Sequence, residues 1–283
     1  MSALRDFYNA YGLVEWERLQ RTAYGRLQAV IHTDFLRQYT RQGMAVLDAG
    51  AGPGRFSIEL ARLGACVTVL DLSPGQLTLA RDKITESGHL AAVERFVEAS
   101  IVDLSGLVDQ SFDLVVCYGG ALSYVLEHRA TAAKELFRVL KPGCVLLTSV
   151  MSRYGATANV VCRGETAVLG SPIETSLWDV VDTGDLPPFP SRRTGLTHPA
   201  MHLYSVAELG ALFAPYAEVL GVAGSNVSTF EGNPRFEEVA NDPKIWDVAV
   251  EVERRLARQP GLVDGGSHII LAARSRERAG RAT

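Results

Sequence analysis

The sequence predicts an α/β fold: a doubly wound, mainly parallel sheet with helices on both faces. Three observations predict it. From residue 44, short apolar runs alternate with helical stretches, the rhythm of βαβ units. The runs are nearly continuous in apolar residues, as in strands covered on both sides. A glycine-rich turn follows the first run, at the carboxyl edge where such sheets bind ligands.

Residues 5–40 read as helical, with Tyr8, Tyr11, Leu13, Trp16, Leu19 and Tyr24 among positions spaced by three and four. Met44–Leu47 is the first strand, ending in Asp48 and the glycines. Phe56–Leu63 is a helix, Cys66–Leu70 the second strand, and Asp71 ends it. Ser73 and Pro74 open the next helix as cap and first-turn residue, and it runs to about Ser87-Gly88. Further strands are expected at Ala92–Val97, Phe112–Cys117 and Cys144–Val150. A helix at about His128–Leu140 is closed by Lys141-Pro142-Gly143. Residues 151–203, with five prolines and no long period, read as an insertion of the lid or binding-loop kind. The pattern resumes with a serine-capped helix at Ser205–Ala214, a strand at Ala217–Ala223, a helix at Trp246–Arg258 and a last strand at His268–Ala273. Four stretches result: an N-terminal helical lid (1–43), a ligand-binding core (44–150), a substrate-side insertion (151–203) and the remainder of the same sheet (204–283).

The 283 residues are 47% hydrophobic and 21% charged, enough for a full core without disulfide staples. The net charge of −4 offers no basic face for nucleic acid. The basic tail Arg274–Arg281 is short and expected to fray. No apolar stretch is long enough to span a membrane. No N-terminal signal is visible, so a cytoplasmic location is expected. No cysteine pair has metal-site spacing, and Cys66, Cys117 and Cys144 are expected as buried thiols. Nothing in the sequence argues against a homo-oligomer.

The strongest local signal is Val46-Leu-Asp-Ala-Gly-Ala-Gly-Pro-Gly-Arg-Phe56. Gly50, Gly52 and Gly54 permit positive φ and close approach of a ligand to the backbone, and the following helix start favours an anion. The dinucleotide fingerprint needs its third glycine at position 55, which is Arg55. No Gly-Lys-Ser/Thr follows for a P-loop. Asp48 places a carboxylate at the mouth of the sheet, suited to a cationic amine. Asp71, at the end of the second strand, can accept two hydrogen bonds from a ribose diol.

Together these residues resemble the class I S-adenosylmethionine-dependent methyltransferases, over about residues 44–150 and more faintly to 274. Val46–Gly54 is similar to the family's first motif, Asp71 to its ribose acid, Phe112–Cys117 to its fourth strand, and Leu136–Gly143 to the helix and turn before its fifth. The resemblance implies a Rossmann-like sheet of seven strands in the order 3-2-1-4-5-7-6, the last strand antiparallel. It implies S-adenosyl-L-methionine as cofactor, S-adenosyl-L-homocysteine as product, and a small-molecule methyl acceptor drawn from secondary metabolism. The third strand departs from the family, because Ser100 stands where an acid often accepts from the adenine amine. Ser100 and Ile101, with Leu72, are the expected adenine contacts.

Methyl transfer from a sulfonium needs the nucleophile held in line and, for a protic acceptor, a base. Tyr118 and Tyr124 flank Gly119-Gly120 after the fourth strand and are expected to face the methyl group. Tyr124, His198 and His202 are the candidate catalytic residues. His198 and His202 have metal-like spacing, but Pro199 argues against a regular helix, and no metal is expected. Glu165, Glu174, Trp178, Asp182, Asp185, Arg192 and Arg193 of the insertion are expected to be mostly solvated. Tyr11 and Tyr24 are the N-terminal residues expected to reach the cofactor. Cys117-Tyr-Gly-Gly replaces the Asn/Asp-Pro-Pro-Tyr/Phe motif of enzymes that methylate base amino groups. The alternatives are a protein or RNA methyltransferase, a non-catalytic cofactor-binding protein and a nicotinamide dehydrogenase.

Overall fold

The computed structural model describes residues 2–163, 173–190 and 195–277. A seven-stranded sheet organises them: β1 (Ala45–Ala49), β2 (Cys66–Asp71), β3 (Val93–Glu98), β4 (Phe112–Cys117), β5 (Leu140–Met151), β6 (Ala217–Ser225) and β7 (His268–Ser275). Their order across the sheet is 3-2-1-4-5-7-6, and β7 runs antiparallel to both neighbours. The strand β1 pairs in parallel with β2 on one side and β4 on the other. The order of strand connection therefore reverses beside β1, which opens a crevice at the carboxyl ends of β1 and β4.

Each strand is continuous in apolar residues because both faces are covered. One face buries Leu47, Val115, Leu146 and Leu271 beneath α6 (Arg129–Val139) and α9 (Val206–Phe213). The other buries Val46, Val69, Leu114 and Leu147 beneath α3 (Ala23–Tyr39), α4 (Arg55–Arg62) and α5 (Pro74–Glu86). The outer strand β3 is an exception. Its Glu94, Arg95 and Glu98 are exposed, charged as befits an unpaired edge.

The N-terminal stretch, expected to be helical, is three helices. They are α1 (Ser2–Tyr11), α2 (Leu13–Arg18) and α3, broken first at Gly12, whose φ is +52°. The insertion carries regular structure that its prolines and glycines concealed: α7 (Arg153–Cys162), α8 (Ile173–Thr183) and two short two-stranded ladders. The Lys141-Pro142-Gly143 turn is absorbed into β5, where Gly143 has a φ of +73° and the register against β4 shifts. The small α10 (Pro234–Val239) was not foreseen, and α11 (Pro243–Leu256) begins three residues early. Of the expected buried thiols, Cys117 is buried, Cys144 half-buried and Cys66 exposed; Cys66 opens its strand at the sheet's rim. Glu165, Arg192, Arg193 and residues 278–281 lie outside the described residues. No helix among those described is long and apolar enough to cross a membrane.

Candidate active site

The loop after β1 is built by its glycines. Gly50 and Ala51 donate their amides to the Leu70 carbonyl at 2.8 and 2.9 Å, which folds the loop back over β2. Gly50, Gly52 and Gly54 have φ of +79°, +54° and +80°, a region costly to any other residue. A Cβ on Gly50 would stand 2.6 Å from the Ala121 Cβ, whereas Gly54 packs α4 against Ala80 of α5. Gly50 and Gly52 line a cavity of about 970 Å³, its mouth included; Gly54 does not.

The floor and walls of this cavity include Asp48, Asp71, Leu72, Ser100, Ile101 and Tyr118. The Asp71 carboxylate accepts from the Gly52 and Ser73 amides, each at 2.8 Å. Each oxygen keeps a second lone pair for a ligand hydroxyl. Burial pushes Asp71 up to about 6, against the pull of those two amides. Asp48 is 1% exposed and accepts from the Ser57 hydroxyl at 2.6 Å. Burial pushes it up to about 7; the Ser57 hydrogen bond opposes this and the Asp71 charge adds to it. Such a carboxyl becomes an anion readily once a cation arrives.

The roof is α1 and α2, which contribute Leu4, Arg5, Tyr8, Glu15, Arg18 and Leu19. The Asn9 side-chain oxygen accepts from the Ser73 hydroxyl and the Gly75 amide, and Gln76 donates to the Tyr8 carbonyl. Arg5 pairs with Glu98 at the end of β3. Arg55 lies over the Trp16 ring and donates to its carbonyl. Arg18 is held by Glu15 at 2.8 Å inside the cavity wall. Sequence reasoning missed Tyr8, Glu15 and Arg18; the break at Gly12 was the available signal.

The other sequence candidates lie elsewhere. Tyr11 stacks on Phe7 instead of lining the cavity. Tyr24 is half-buried near Ser267 and Asn159 and does not line it either. Tyr124 does line it, but burial pushes its phenol up to about 12, so it is a donor at neutral pH rather than a base. His198 stands behind it, outside the cavity lining. His198 Nδ1 is 3.0 Å from the Pro199 carbonyl, so Nε2 accepts from the Tyr124 hydroxyl at 3.3 Å. His202 is removed from the chemistry. It is 1% exposed, with Nδ1 2.6 Å from Asp185 and Nε2 2.7 Å from Glu208. Among the described residues, no three side chains are grouped to hold a metal ion.

These residues fit S-adenosylmethionine on chemical grounds. The Asp71 carboxyl at the end of β2, with a lone pair free on each oxygen, suits a ribose diol. Leu72 and Ile101 make an apolar slot beside Ser100. A buried acid and a roof cation suit an ammonium and a carboxylate.

Residues 46–143 match the family described as methyltransferase domain. A malonyl-[acyl-carrier protein] O-methyltransferase of Pectobacterium atrosepticum is 34% identical over 134 residues, 47% of this chain and 46% of that protein. A ubiquinone biosynthesis O-methyltransferase of Xanthomonas euvesicatoria is 38% identical over 117 residues, 40% of this chain and 46% of its own. The chain thus spans about half the length of the curated relatives it matches. The crystal structure of Burkholderia thailandensis 1,6-didemethyltoxoflavin-N1-methyltransferase, with its namesake ligand and S-adenosylhomocysteine bound, superposes with a TM-score of 0.54 at 17% identity. The match covers 98% of this chain and 88% of that one. Residues 46–143 thus match the methyltransferase-domain family, and the seven-stranded fold that carries them is shared with a solved methyltransferase.

Proposed function

We propose that this protein transfers a methyl group from S-adenosyl-L-methionine to a small-molecule acceptor, releasing S-adenosyl-L-homocysteine. The observation that carries this reading is the roofed cavity at the carboxyl ends of β1 and β4, with Asp71 on one wall and Gly119 on another. The cofactor supplies an electrophilic methyl on a sulfonium that is already a good leaving group. The protein's work is therefore to bind, orient and exclude water. Asp71 accepts from the ribose hydroxyls; Leu72, Ser100 and Ile101 hold the adenine. Asp48 and the loop at Gly50 receive the ammonium, and Arg18 turns from Glu15 to the carboxylate. Gly119 and Gly120 bring the backbone close to the methyl group, and Tyr124 walls the acceptor's side.

A small acceptor is favoured over a macromolecule because α1 and α2 roof the cavity, which narrows its access. Both matched relatives described above are named as O-methyltransferases, which puts oxygen nucleophiles, hydroxyls and carboxylates, first in an acceptor panel.

Thermal unfolding with S-adenosylhomocysteine, S-adenosylmethionine and NADH tests the reading. A ligand at 100 times its Kd stabilises by about 2.7 kcal/mol, or about 5–10 °C here. The two sulfur ligands should give that shift and NADH none. In Asp71→Asn the shift should largely vanish, since a hydrogen bond to a charged group contributes about 1.5–3 kcal/mol. A shift with NADH alone would sink the proposal.

A further inference from the structure

Where the roof meets the insertion, the cavity wall carries a hydrogen-bonded pair whose chemistry the preceding reading leaves unused. Tyr124 lines the cavity, and His198 stands directly behind it. The Tyr124 ring is set against Gly120, where a Cβ would come within 3.8 Å of its Cε2. Its hydroxyl is 3.3 Å from His198 Nε2. The imidazole is clamped in place. Phe189 stacks on it, Phe7 packs at 64° to its plane, and Nδ1 is 3.0 Å from the Pro199 carbonyl.

The direction of each hydrogen bond follows from the far end of the row. A carbonyl only accepts, so His198 Nδ1 carries the proton and Nε2 offers a lone pair. The Tyr124 hydroxyl therefore donates to Nε2, and its oxygen is left as an acceptor. The Tyr8 hydroxyl, from the roof, already hydrogen-bonds to Tyr124. A phenol oxygen has two lone pairs, so one remains for a ligand in the cavity. Burial pushes the Tyr124 phenol up to about 12, with Tyr8 and Tyr11 of α1 and Glu15 and Arg18 of α2 also acting on it. Such a phenol gives up its proton only as it gains another. Burial holds His198 below the ordinary histidine range, against the pull of the Pro199 carbonyl, so its Nε2 is bare and able to accept at neutral pH.

We propose that Tyr124 and His198 form a proton relay for methyl transfer, Tyr124 touching the acceptor and His198 acting through it, and that the acceptor's reacting group is a hydroxyl. This rests on the methyltransferase reading above, which puts the acceptor on the Tyr124 side of Gly119 and Gly120. The acceptor donates its hydroxyl to the Tyr124 oxygen. Its own oxygen forms a bond to the methyl carbon while the carbon–sulfur bond breaks, the electron pair staying on sulfur. The acceptor's proton passes to the Tyr124 oxygen as the Tyr124 proton passes to His198 Nε2. Tyr124 ends as it began, a neutral phenol, and His198 becomes an imidazolium. His198 is half-buried, so it returns that proton to water when product leaves. The same geometry sets the acceptor's class. A lone pair facing the cavity attracts a hydroxyl and repels a carboxylate, which at neutral pH has no proton to pass on.

The test uses protein labelled at the tyrosine Cζ and loaded with S-adenosylhomocysteine at pH 7.5, the Tyr124 signal being assigned by its loss in Tyr124→Phe. The probes are phenol, which donates a hydrogen bond, and anisole, of similar shape, which only accepts. Phenol should move the Tyr124 signal. In His198→Phe the Tyr124 proton is freed to point into the cavity, and the ratio of anisole to phenol Kd should fall by about two- to tenfold, the worth of one neutral hydrogen bond. His198→Gln gives the hydroxyl another acceptor and should keep the wild-type ratio. A Tyr124 signal that ignores phenol, or a ratio unchanged in His198→Phe, would overturn the relay. By calorimetry both His198 variants should bind S-adenosylhomocysteine within about twofold of wild type; a large loss in both would make His198 a support of the roof instead. Wild type that fails to bind S-adenosylhomocysteine would fell the methyltransferase reading. Wild type that binds it while Tyr124 ignores phenol would fell this inference alone. On a hydroxyl acceptor from the panel, His198→Gln should lower kcat by about 100-fold or more with KM little changed, the scale of general-base catalysis. The fall of wild-type kcat toward low pH, as His198 takes up a proton, should be missing from that variant. A kcat within about threefold of wild type would overturn the relay.

Discussion

Asp48 shows what a binding site can cost the protein that carries it. Its carboxyl is nearly fully buried and held near 7, well above an ordinary aspartate. Between the ordinary carboxylate range and about 7, the folded form keeps a proton that the unfolded chain has released. Stability therefore falls as pH rises through that window, by at most about 1.4 kcal/mol per unit for this group. Asp48→Asn carries no such penalty. The variant should unfold at a higher temperature than wild type at pH 8, with the gap closing toward pH 5. At the same time it should bind S-adenosylhomocysteine at least about tenfold more weakly, since a charge-assisted contact is lost. Melting curves at pH 5, 6.5 and 8 give the first outcome and calorimetry the second. A gap that does not change with pH would show that Asp48 is not the titrating group. His202 is the opposite case, a buried ring whose two nitrogens are both met by carboxylates, so its place is fixed by pairing. Its partners come from positions 185 and 208, on a two-residue ladder and a separate helix. Nothing in the local spacing of His198 and His202 announces them.

At the scale of elements, close backbone approaches decide which glycines are replaceable. Gly155, in α7, has no positive φ, yet a Cβ there would stand 1.8 Å from the Gly266 carbonyl oxygen. Gly155→Ala must push α7 off the turn before β7, at the upper end of the about 1–3 kcal/mol that overpacking costs. Gly119 has a φ of +74° but open space around it. Gly119→Ala should cost only the left-handed penalty, about 1–2 kcal/mol. Chemical denaturation of the two variants checks that order; equal losses would mean that the α7 contact yields easily. The same elements explain what was legible in the sequence. β1, β2 and β4 stood out because both faces are buried, and Asp48 and Asp71 stood out because the apolar runs stop at them. The insertion was not legible, because α7 mixes glycine, threonine and paired valines, poor helix formers read singly. Residues 140–143 read as a helix end and turn, yet a strand with a shifted register absorbs them. The roof residues were missed for a simpler reason. Residues 5–40 read as helical without their breaks, so Tyr11 and Tyr24 were chosen over Tyr8, Glu15 and Arg18.

In the whole molecule, the roof of the cavity touches the insertion, a second cover that stands behind the lining at Tyr124. Phe7 and Tyr8 of α1 meet the insertion and the loop after β4: Phe7 packs on His198 at 5.3 Å and Tyr8 on Tyr124 at 5.7 Å. His198 is itself stacked on Phe189 at 4.7 Å. The α1 cover is also pinned through Asn9 to the start of α5, two residues beyond Asp71. Occupation of the ribose site thus bears on both covers through packed rings and shared hydrogen bonds. Hydrogen exchange should show S-adenosylhomocysteine protecting residues 2–18 and residues 197–202 together, although the second segment lines none of the cavity. Asn9→Ala removes two hydrogen bonds of about 1 kcal/mol each. It should speed release of S-adenosylhomocysteine by about tenfold or more and loosen both segments at once. If only residues 2–18 exchange faster in that variant, the covers open independently, and the aromatic contact between them is packing without coupling.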